Sequence, residues 1–286
     1  MSPPTPRRPT KRDAWSVLDG GTSTPLTDVE VPAVVLGIAG HRPVQPMWIN
    51  QLGGLTCEVG EGTSRWFVKW IPPGAGASAR DEAARMSWLA PFSRVPQVLE
   101  VLDDPHSAAT VLVTTALPGE TAVADGWKAD PASAVTAIGR GLRYLHDNAP
   151  TNSCPFAWSV SGRIEEARRR VTTGATQPSD WHPAHQALSR DHVMTILQSP
   201  PPLDIAVVCH GDACAPNTII DQGVWTGHVD LGTAGVADRW ADLAVASWST
   251  EWNYGSGWDR PLLDAYGVEP DPDRTAYYRL LWDLAS

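Results

Sequence analysis

The feature that most constrains the fold is a change of pattern at Leu117-Pro118-Gly119. Upstream, apolar residues come in short runs broken by Gly and Pro. Val34–Ile38, Met47–Leu52, Leu55–Val59 and Arg65–Ile71 read as antiparallel strands, with Gly53-Gly54 and Gly60-Glu61-Gly62 as turns. A helix is expected over Ala79–Ala90, where Ala83, Met86, Leu89 and Ala90 recur at helical spacing and Pro91 follows. Val98–Leu102 and Thr110–Thr115 give two more strands. Downstream, helices are expected at Pro131–Asn148, Arg163–Val171, Ala184–Leu197, Asp238–Glu251, Arg260–Tyr266 and Asp273–Leu284. Short strands interrupt them at Ala206–Cys209, Thr218–Ile220 and Thr226–Val229. The pattern predicts an α+β chain of two lobes. Residues 1–30 are expected to form a flexible basic, Pro-rich arm with a short helix at Asp13–Leu18, residues 31–116 a β-rich lobe, and residues 117–286 a mainly helical one.

Composition removes several classes. No run approaches the ~18 consecutive apolar residues of a membrane helix, and the N-terminus has no apolar run behind its charges, so neither a membrane span nor a secretory signal is expected. The four cysteines (Cys57, Cys154, Cys209, Cys214) lack CxxC pairing, which suits a reducing cytoplasm and gives no zinc spacing. Net charge is −10, while Arg7, Arg8, Lys11 and Arg12 make the arm basic. An acidic body disfavours nucleic acid and attracts a cationic small molecule, although the acidity also serves solubility alone. No obligate protein partner is evident.

Of 22 basic residues only Lys11, Lys69 and Lys128 are lysines. Lys69 lies inside the apolar strand Trp66-Phe67-Val68-Lys69-Trp70, on the face opposite Trp66, Val68 and Trp70. A lysine facing inward needs an anion, and Glu82 on the next helix is the partner expected; an edge-strand lysine facing water is the other reading. A sharper signal is His210-Gly211-Asp212-Ala213-Cys214-Ala215-Pro216-Asn217, a polar loop after a hydrophobic strand. Thirteen residues beyond Asn217, Val229-Asp230-Leu231-Gly232 repeats the strand-then-Asp pattern. Phosphoryl transfer needs a carboxylate to position the acceptor hydroxyl and hard oxygen ligands to hold Mg²⁺ on the phosphates. Asp212 suits the first role; Asn217 and Asp230 suit the second. Each alone would pass for a turn residue.

These motifs, with Gly235-Val236-Ala237-Asp238-Arg239-Trp240-Ala241-Asp242-Leu243, resemble the aminoglycoside O-phosphotransferases, in particular the 3′-enzymes and the streptomycin 3″-enzymes. Cys154-Pro155-Phe156, Arg163-Ile164-Glu165-Glu166-Ala167-Arg168 and Tyr277-Tyr278-Arg279-Leu280-Leu281 extend the likeness, which runs from about Met47 to the C-terminus. The resemblance implies a protein-kinase-like bilobal fold and use of ATP or GTP with Mg²⁺. It makes Lys69 the phosphate-binding lysine, Glu82 its helix partner and Asp212 the catalytic base, with Asn217 and Asp230 binding Mg²⁺. His210 would buttress the loop and Asp242 would hydrogen-bond it, unless Asp242 sits on a surface helix. Gly53-Gly54-Leu55-Thr56 falls where a loop would close on the phosphates with backbone N–H groups and the Thr56 hydroxyl. Thr114 to Ala116 fall at the hinge, where backbone groups would hold adenine.

The resemblance weakens at the acceptor. Asp180 survives in the helical insert, but Pro183 stands where a carboxylate is expected. Thr233 replaces an Arg. Trp248 and Ser249 replace an Arg–Asp pair, and Trp252 with Asn253 replaces two acids. Glu251 offers a carboxylate one residue early, and Asp283 matches an acid near the C-terminus. Asp180, Trp248, Glu251, Trp252 and Asp283 are therefore the expected acceptor contacts, with the tryptophans stacking on a sugar face or a cation unless they are helical core. The implied substrate is an aminoglycoside or related amino sugar, less cationic or larger than usual. Three functions follow: a resistance kinase acting on a finished antibiotic, a biosynthetic kinase acting on an aminoglycoside-like intermediate, or a silent binding protein on a kinase scaffold. A choline- or homoserine-kinase-like activity fits the Ala213-Cys214-Ala215-Pro216 segment less well.

Overall fold

The computed structural model describes residues 29–50, 53–75 and 78–286. The expected arm helix at Asp13–Leu18 lies outside them, as does the end of the expected strand Met47–Leu52. The chain divides into two compact units, one of residues 1–83 and 97–116, the other of 84–96 and 117–286.

The first unit is built on an antiparallel sheet of β1 (Val44–Ile49), β2 (Leu55–Val59), β3 (Trp66–Ile71), β4 (Val98–Asp103) and β5 (Thr110–Thr115), in the order β1-β2-β3-β5-β4. Its register puts Cys57, Val68 and Val113 in one row across three strands, and Leu55, Trp70 and Val111 in the next. Period-two alternation sends these residues to one face, and there they form the unit's core. Helix α1 (Ala33–Ala39) covers that face through Val35 and Ala39. This corrects the strand expected at Val34–Ile38. Its two buried residues are four apart, a helical spacing. Pro32 precedes the segment and Gly40, with φ +62°, ends it. The first strand also begins earlier than expected, at Val44.

The opposite face of the sheet carries Thr56, Lys69 and Leu112 in one row and Glu58, Phe67 and Thr114 in another. Helix α2 (Ala79–Leu89) starts in this unit, with Asp81 and Glu82 in its first turn, where carboxylates suit the helix dipole.

The second unit is mainly helical. Short strands pair as β7 (Ala206–Cys209) with β10 (Gly235–Asp238), and as β6 (Glu120–Thr121), β8 (Thr218–Asp221) and β9 (Val224–His228). Around them lie α3 (Asp125–Ala129), α4 (Pro131–Asn148), α5 (Val160–Thr173), α6 (Arg190–Leu197), α7 (Trp240–Tyr254), α8 (Asp259–Tyr266) and α9 (Pro272–Ala285). Helix α4 starts with Asp130 accepting from Ser133 N and Pro131 at its first position, and it buries Val135, Ile138, Leu142 and Leu145 along one stripe. It meets α8 closely: a Cβ on Gly139 would stand 2.7 Å from Leu262 O.

Two helices start later than expected. α6 begins only at Arg190, because Ser189 caps it by accepting from His192 N, and residues 183–187 turn instead. α7 begins at Trp240. Asp238 instead ends β10, which the sequence pattern does not reveal, and its carboxylate accepts from Trp240 N at 2.9 Å. Every residue of α7 from Trp240 to Thr250 is buried, so this helix runs through the core. No helix among the described residues is long and apolar enough to cross a membrane.

Candidate active site

In the first unit, Lys69 Nζ lies 2.8 Å from Glu82 Oε2, with both side chains largely buried. The strand supplies the lysine and the first turn of α2 the carboxylate, so each charge is compensated inside the unit. Thr56 stands beside Lys69 in register. The turn before it is closed by Asn50, whose N–H donates to Gly54 O at 2.9 Å and whose Oδ1 accepts from Gly54 N at 2.8 Å. Gly53 takes φ +82° there. Thr114 is buried in β5 and Ala116 follows the strand directly.

In the second unit, two loops leave the same end of the β7–β10 ribbon, since Cys209 pairs with Gly235. The first loop, 210–217, is fastened at several points. Asp242, fully buried on α7, accepts from His210 N at 2.6 Å and from Gly211 N at 2.8 Å, and His146 Nε2 lies 2.9 Å from it. Tyr266 O–H lies 2.9 Å from His146 Nδ1 and fixes the ring. Burial pushes the Asp242 carboxyl up, but the His146 bond, the field of His146 and His210 and the Gly211 N–H outweigh it and hold it below the usual carboxylate range. Trp158 Nε1 donates to Gly211 O at 3.2 Å, and Ser249 Oγ accepts from Ala215 N at 2.9 Å. Gly211 has no alternative: φ is +84°, and an added Cβ would stand 2.4 Å from Thr233 O and 2.8 Å from Trp158 Cδ1. His210 ties the two loops together, with Nε2 2.9 Å from Val229 O.

Asp212 is thus presented on a braced turn. Its Oδ1 lies 3.2 Å from Trp282 Nε1 and 3.3 Å from Cys214 Sγ. Asn217 Nδ2 donates to Asp212 O at 2.9 Å and lies 3.4 Å from Oδ2. That bond fixes the amide so that its oxygen is the atom left to meet a cation. Asp230 follows β9 directly after Val229, whose N–H donates to Asn217 O at 3.0 Å. Asp230 also takes φ +61°, a conformation that a non-glycine residue holds at a cost. An amide oxygen and a carboxylate, both hard donors, fit Mg²⁺. Burial, then the Asp212 charge, pushes the Cys214 thiol well up, which keeps it a neutral S–H donor.

The expected acceptor residues are distributed differently. Trp248 is 3% exposed and packs on His182 at 4.2 Å and Trp252 at 4.9 Å between ring centroids; Trp282 completes the cluster. Asp283 is fully buried, accepting from His182 N at 2.9 Å and lying 2.7 Å from His185 Nδ1. Glu251 pairs with Arg279 at 3.2 Å. Asp180 caps its own turn by accepting from Gln177 N at 2.8 Å. Trp282, Ser249, His182, His185 and His146 escape sequence reading. Trp282 adjoins Asp283 and the two histidines flank Pro183, so position in the motif was the available signal.

A model of the phosphotransferase enzyme family matches residues 51–278. The chain belongs to that family. The phosphotransferase is similar to the aminoglycoside 3′-phosphotransferase of Streptomyces fradiae, 34% identical over 229 residues that span 75% of this chain and 84% of the relative. It is also similar to the streptomycin 3″-kinase of Streptomyces griseus, 30% identical over 74% of this chain and 82% of that enzyme. Among solved structures, an aminoglycoside 3′-phosphotransferase of type VIII superposes with a TM-score of 0.76 at 28% identity, covering 88% of this chain and 96% of the other. An aminoglycoside phosphotransferase of Streptomyces rimosus, solved with ADP and streptomycin, gives 0.70 at 25% identity with the same coverage.

Proposed function

We propose that this phosphotransferase transfers the γ-phosphoryl group of ATP or GTP to a hydroxyl of an aminoglycoside or related amino sugar. The observation that carries the reading is the loop 210–217. Five hydrogen bonds from α7, His146 and Trp158 hold its backbone and its buried anchor, and this bracing fixes Asp212 and Asn217. Asp212 orients the acceptor hydroxyl and takes its proton as the oxygen attacks phosphorus in line; the bond from phosphorus to the leaving nucleoside diphosphate breaks. Asn217 and Asp230 would hold Mg²⁺, which would neutralise charge on the phosphates. Lys69, oriented by Glu82, would bind phosphate oxygens. Thr56 and the backbone at Thr114 and Ala116 would complete the nucleotide contacts, as the family resemblance implies.

The relatives' names, an aminoglycoside 3′-phosphotransferase and a streptomycin 3″-kinase, favour the reading in which the substrate is a finished antibiotic. One observation favours the biosynthetic reading: the acids near the acceptor are already engaged. Asp283 serves His182 and His185, Glu251 serves Arg279 and Asp180 serves its own turn. The indole face of the half-buried Trp252 would then meet a substrate with fewer ammonium groups. An ADP-release assay decides, with ATP or GTP, Mg²⁺, kanamycin, neomycin, streptomycin, hygromycin and their precursors. Fast turnover of an antibiotic supports resistance, and preference for a precursor supports biosynthesis. Asp212→Ala should abolish turnover and leave nucleotide binding intact. Silence on every acceptor with nucleotide still bound would leave a binding protein.

A further inference from the structure

Three donors approach the Asp212 side chain, and two belong to its own loop. Cys214 offers an S–H, a weak donor, and Asn217 reaches Oδ2 only at 3.4 Å while bonding the backbone oxygen at 2.9 Å. The third, Trp282, comes from α9, 70 residues further along the chain, and its Nε1 lies 3.2 Å from Oδ1. That indole is not placed by chance of a floppy terminus. α9 is capped by Asp271, which accepts from Arg274 N, and Leu280, Leu281, Asp283 and Leu284 around Trp282 are buried. The ring itself is held by Trp252 at 5.8 Å, with planes 35° apart, and by Trp248 at 6.3 Å, nearly edge-on at 74°.

We infer that Trp282 is a positioning residue for Asp212: its N–H occupies Oδ1 and so reserves Oδ2 for the acceptor hydroxyl. A carboxylate turns easily about its last side-chain bond, because that torsion has a broad energy well. Two equivalent oxygens would present the base in several orientations, and only some are in line with the phosphoryl group. One N–H donor from a rigid ring, aimed at one oxygen, removes that freedom before the acceptor arrives. The indole bonds the base and packs on Trp248 and Trp252, so the aromatic cluster and the base form one rigid piece. A purely space-filling role would need the ring but not its nitrogen.

The inference rests on Asp212 being the base, and the test separates the two. Protein labelled with ¹⁵N at its indoles gives a Trp282 resonance, identified by its loss in Trp282→Phe. In the wild type this N–H should be protected from exchange with solvent deuterium, and in Asp212→Ala it should exchange about tenfold faster or more, the equivalent of about 1.4 kcal/mol. In the ADP-release assay, with kanamycin, neomycin or streptomycin as acceptor, or water if none is turned over, Trp282→Phe should lower kcat about tenfold and leave the KM for ATP unchanged. Benzothienylalanine at position 282 keeps the shape of the ring and lacks the N–H, so it should match Trp282→Phe with a wild-type melting temperature. Full kcat in the benzothienylalanine protein, or an indole resonance indifferent to Asp212→Ala, overturns the inference while the proposed function stands. Full turnover in Asp212→Ala overturns both.

Discussion

Asp242→Asn is the substitution that most directly tests how the loop is held. The carboxylate serves three donors with two oxygens: Oδ2 receives His210 N at 2.6 Å and His146 Nε2 at 2.9 Å, and Oδ1 receives Gly211 N at 2.8 Å. Asparagine has the same shape but one oxygen. If that oxygen takes the Oδ2 position, the amide nitrogen points its hydrogens at Gly211 N–H, donor against donor. If it takes the other position, His210 N–H and His146 both lose their acceptor. In the better orientation one buried N–H is stranded, at about 1–3 kcal/mol, and two bonds lose their ionic partner, at about 1 kcal/mol each. The expected loss is therefore about 3–5 kcal/mol, a large share of the ~5–15 kcal/mol that holds an ordinary domain together. The site is fully buried, so water offers no relief.

Urea denaturation of wild type and Asp242→Asn, followed by tryptophan fluorescence, measures that loss; Trp240 and Trp158 report from the second unit's core. Turnover in the ADP-release assay should fall as well, because the same bonds place Asp212. A loss under about 1 kcal/mol with turnover retained would refute the reasoning, since it would mean the three bonds bear on neither stability nor the loop.

Further perturbations test other parts of the molecule. Gly211→Ala combines positive φ with a Cβ 2.4 Å from Thr233 O; a loss of about 2–4 kcal/mol in urea and near-complete loss of turnover are expected. Glu82→Gln removes the charge that orients Lys69, and it should raise the KM for ATP about tenfold, corresponding to about 1.4 kcal/mol, with kcat less affected. His228 is buried among Trp225 and His210, and neither ring nitrogen has a partner among the described residues. Burial, then the neighbouring His210 and His146, depresses its pKa well below 6.5. The folded state resists a proton that the unfolded chain accepts, so this histidine's contribution is whole above pH 6.5 and is lost as pH falls. Stability therefore falls between pH 7 and pH 5 as the unfolded chain takes up the proton. His228→Phe should lose correspondingly less stability over the same interval in urea titrations, and equal losses would refute the assignment.

What could be read in advance follows from how local each signal is. Lys69 announces itself because a lone lysine in an apolar strand must meet an anion, and Glu82 is close enough in sequence to be named. Strand pairing around it follows from period-two alternation. Val34–Ile38 misleads because a short apolar run fits a covering helix as well as a strand, and only the sheet beneath decides between them. β10 is hidden for a similar reason: Gly235–Asp238 is four residues long and leads straight into α7. Asp238 looks like a helix residue and is instead the acceptor for that helix's first N–H.

The division between the chemistry and the acceptor side has the same origin. Asp212, Asn217 and Asp230 stand within two loops of a single hairpin, so their spacing in sequence is nearly their spacing in space. The residues proposed to surround the acceptor come from positions near 180, 250 and 280, joined only by packing. Sequence can show that acids are present at Asp180, Glu251 and Asp283, but a carboxylate attracts a cationic substrate only if its charge is not already spent. Here the His182 N–H and His185 engage Asp283, Arg279 pairs with Glu251 and the Gln177 N–H engages Asp180, and each partner is invisible until the chain is folded. The tryptophans likewise read as stacking surfaces one by one. Folded, Trp248 is core, and Trp282, marked in sequence only by its neighbour Asp283, is the ring that touches Asp212. On the proposed reading, substrate preference is set less by which residues replace the acids than by what the remaining acids are paired with.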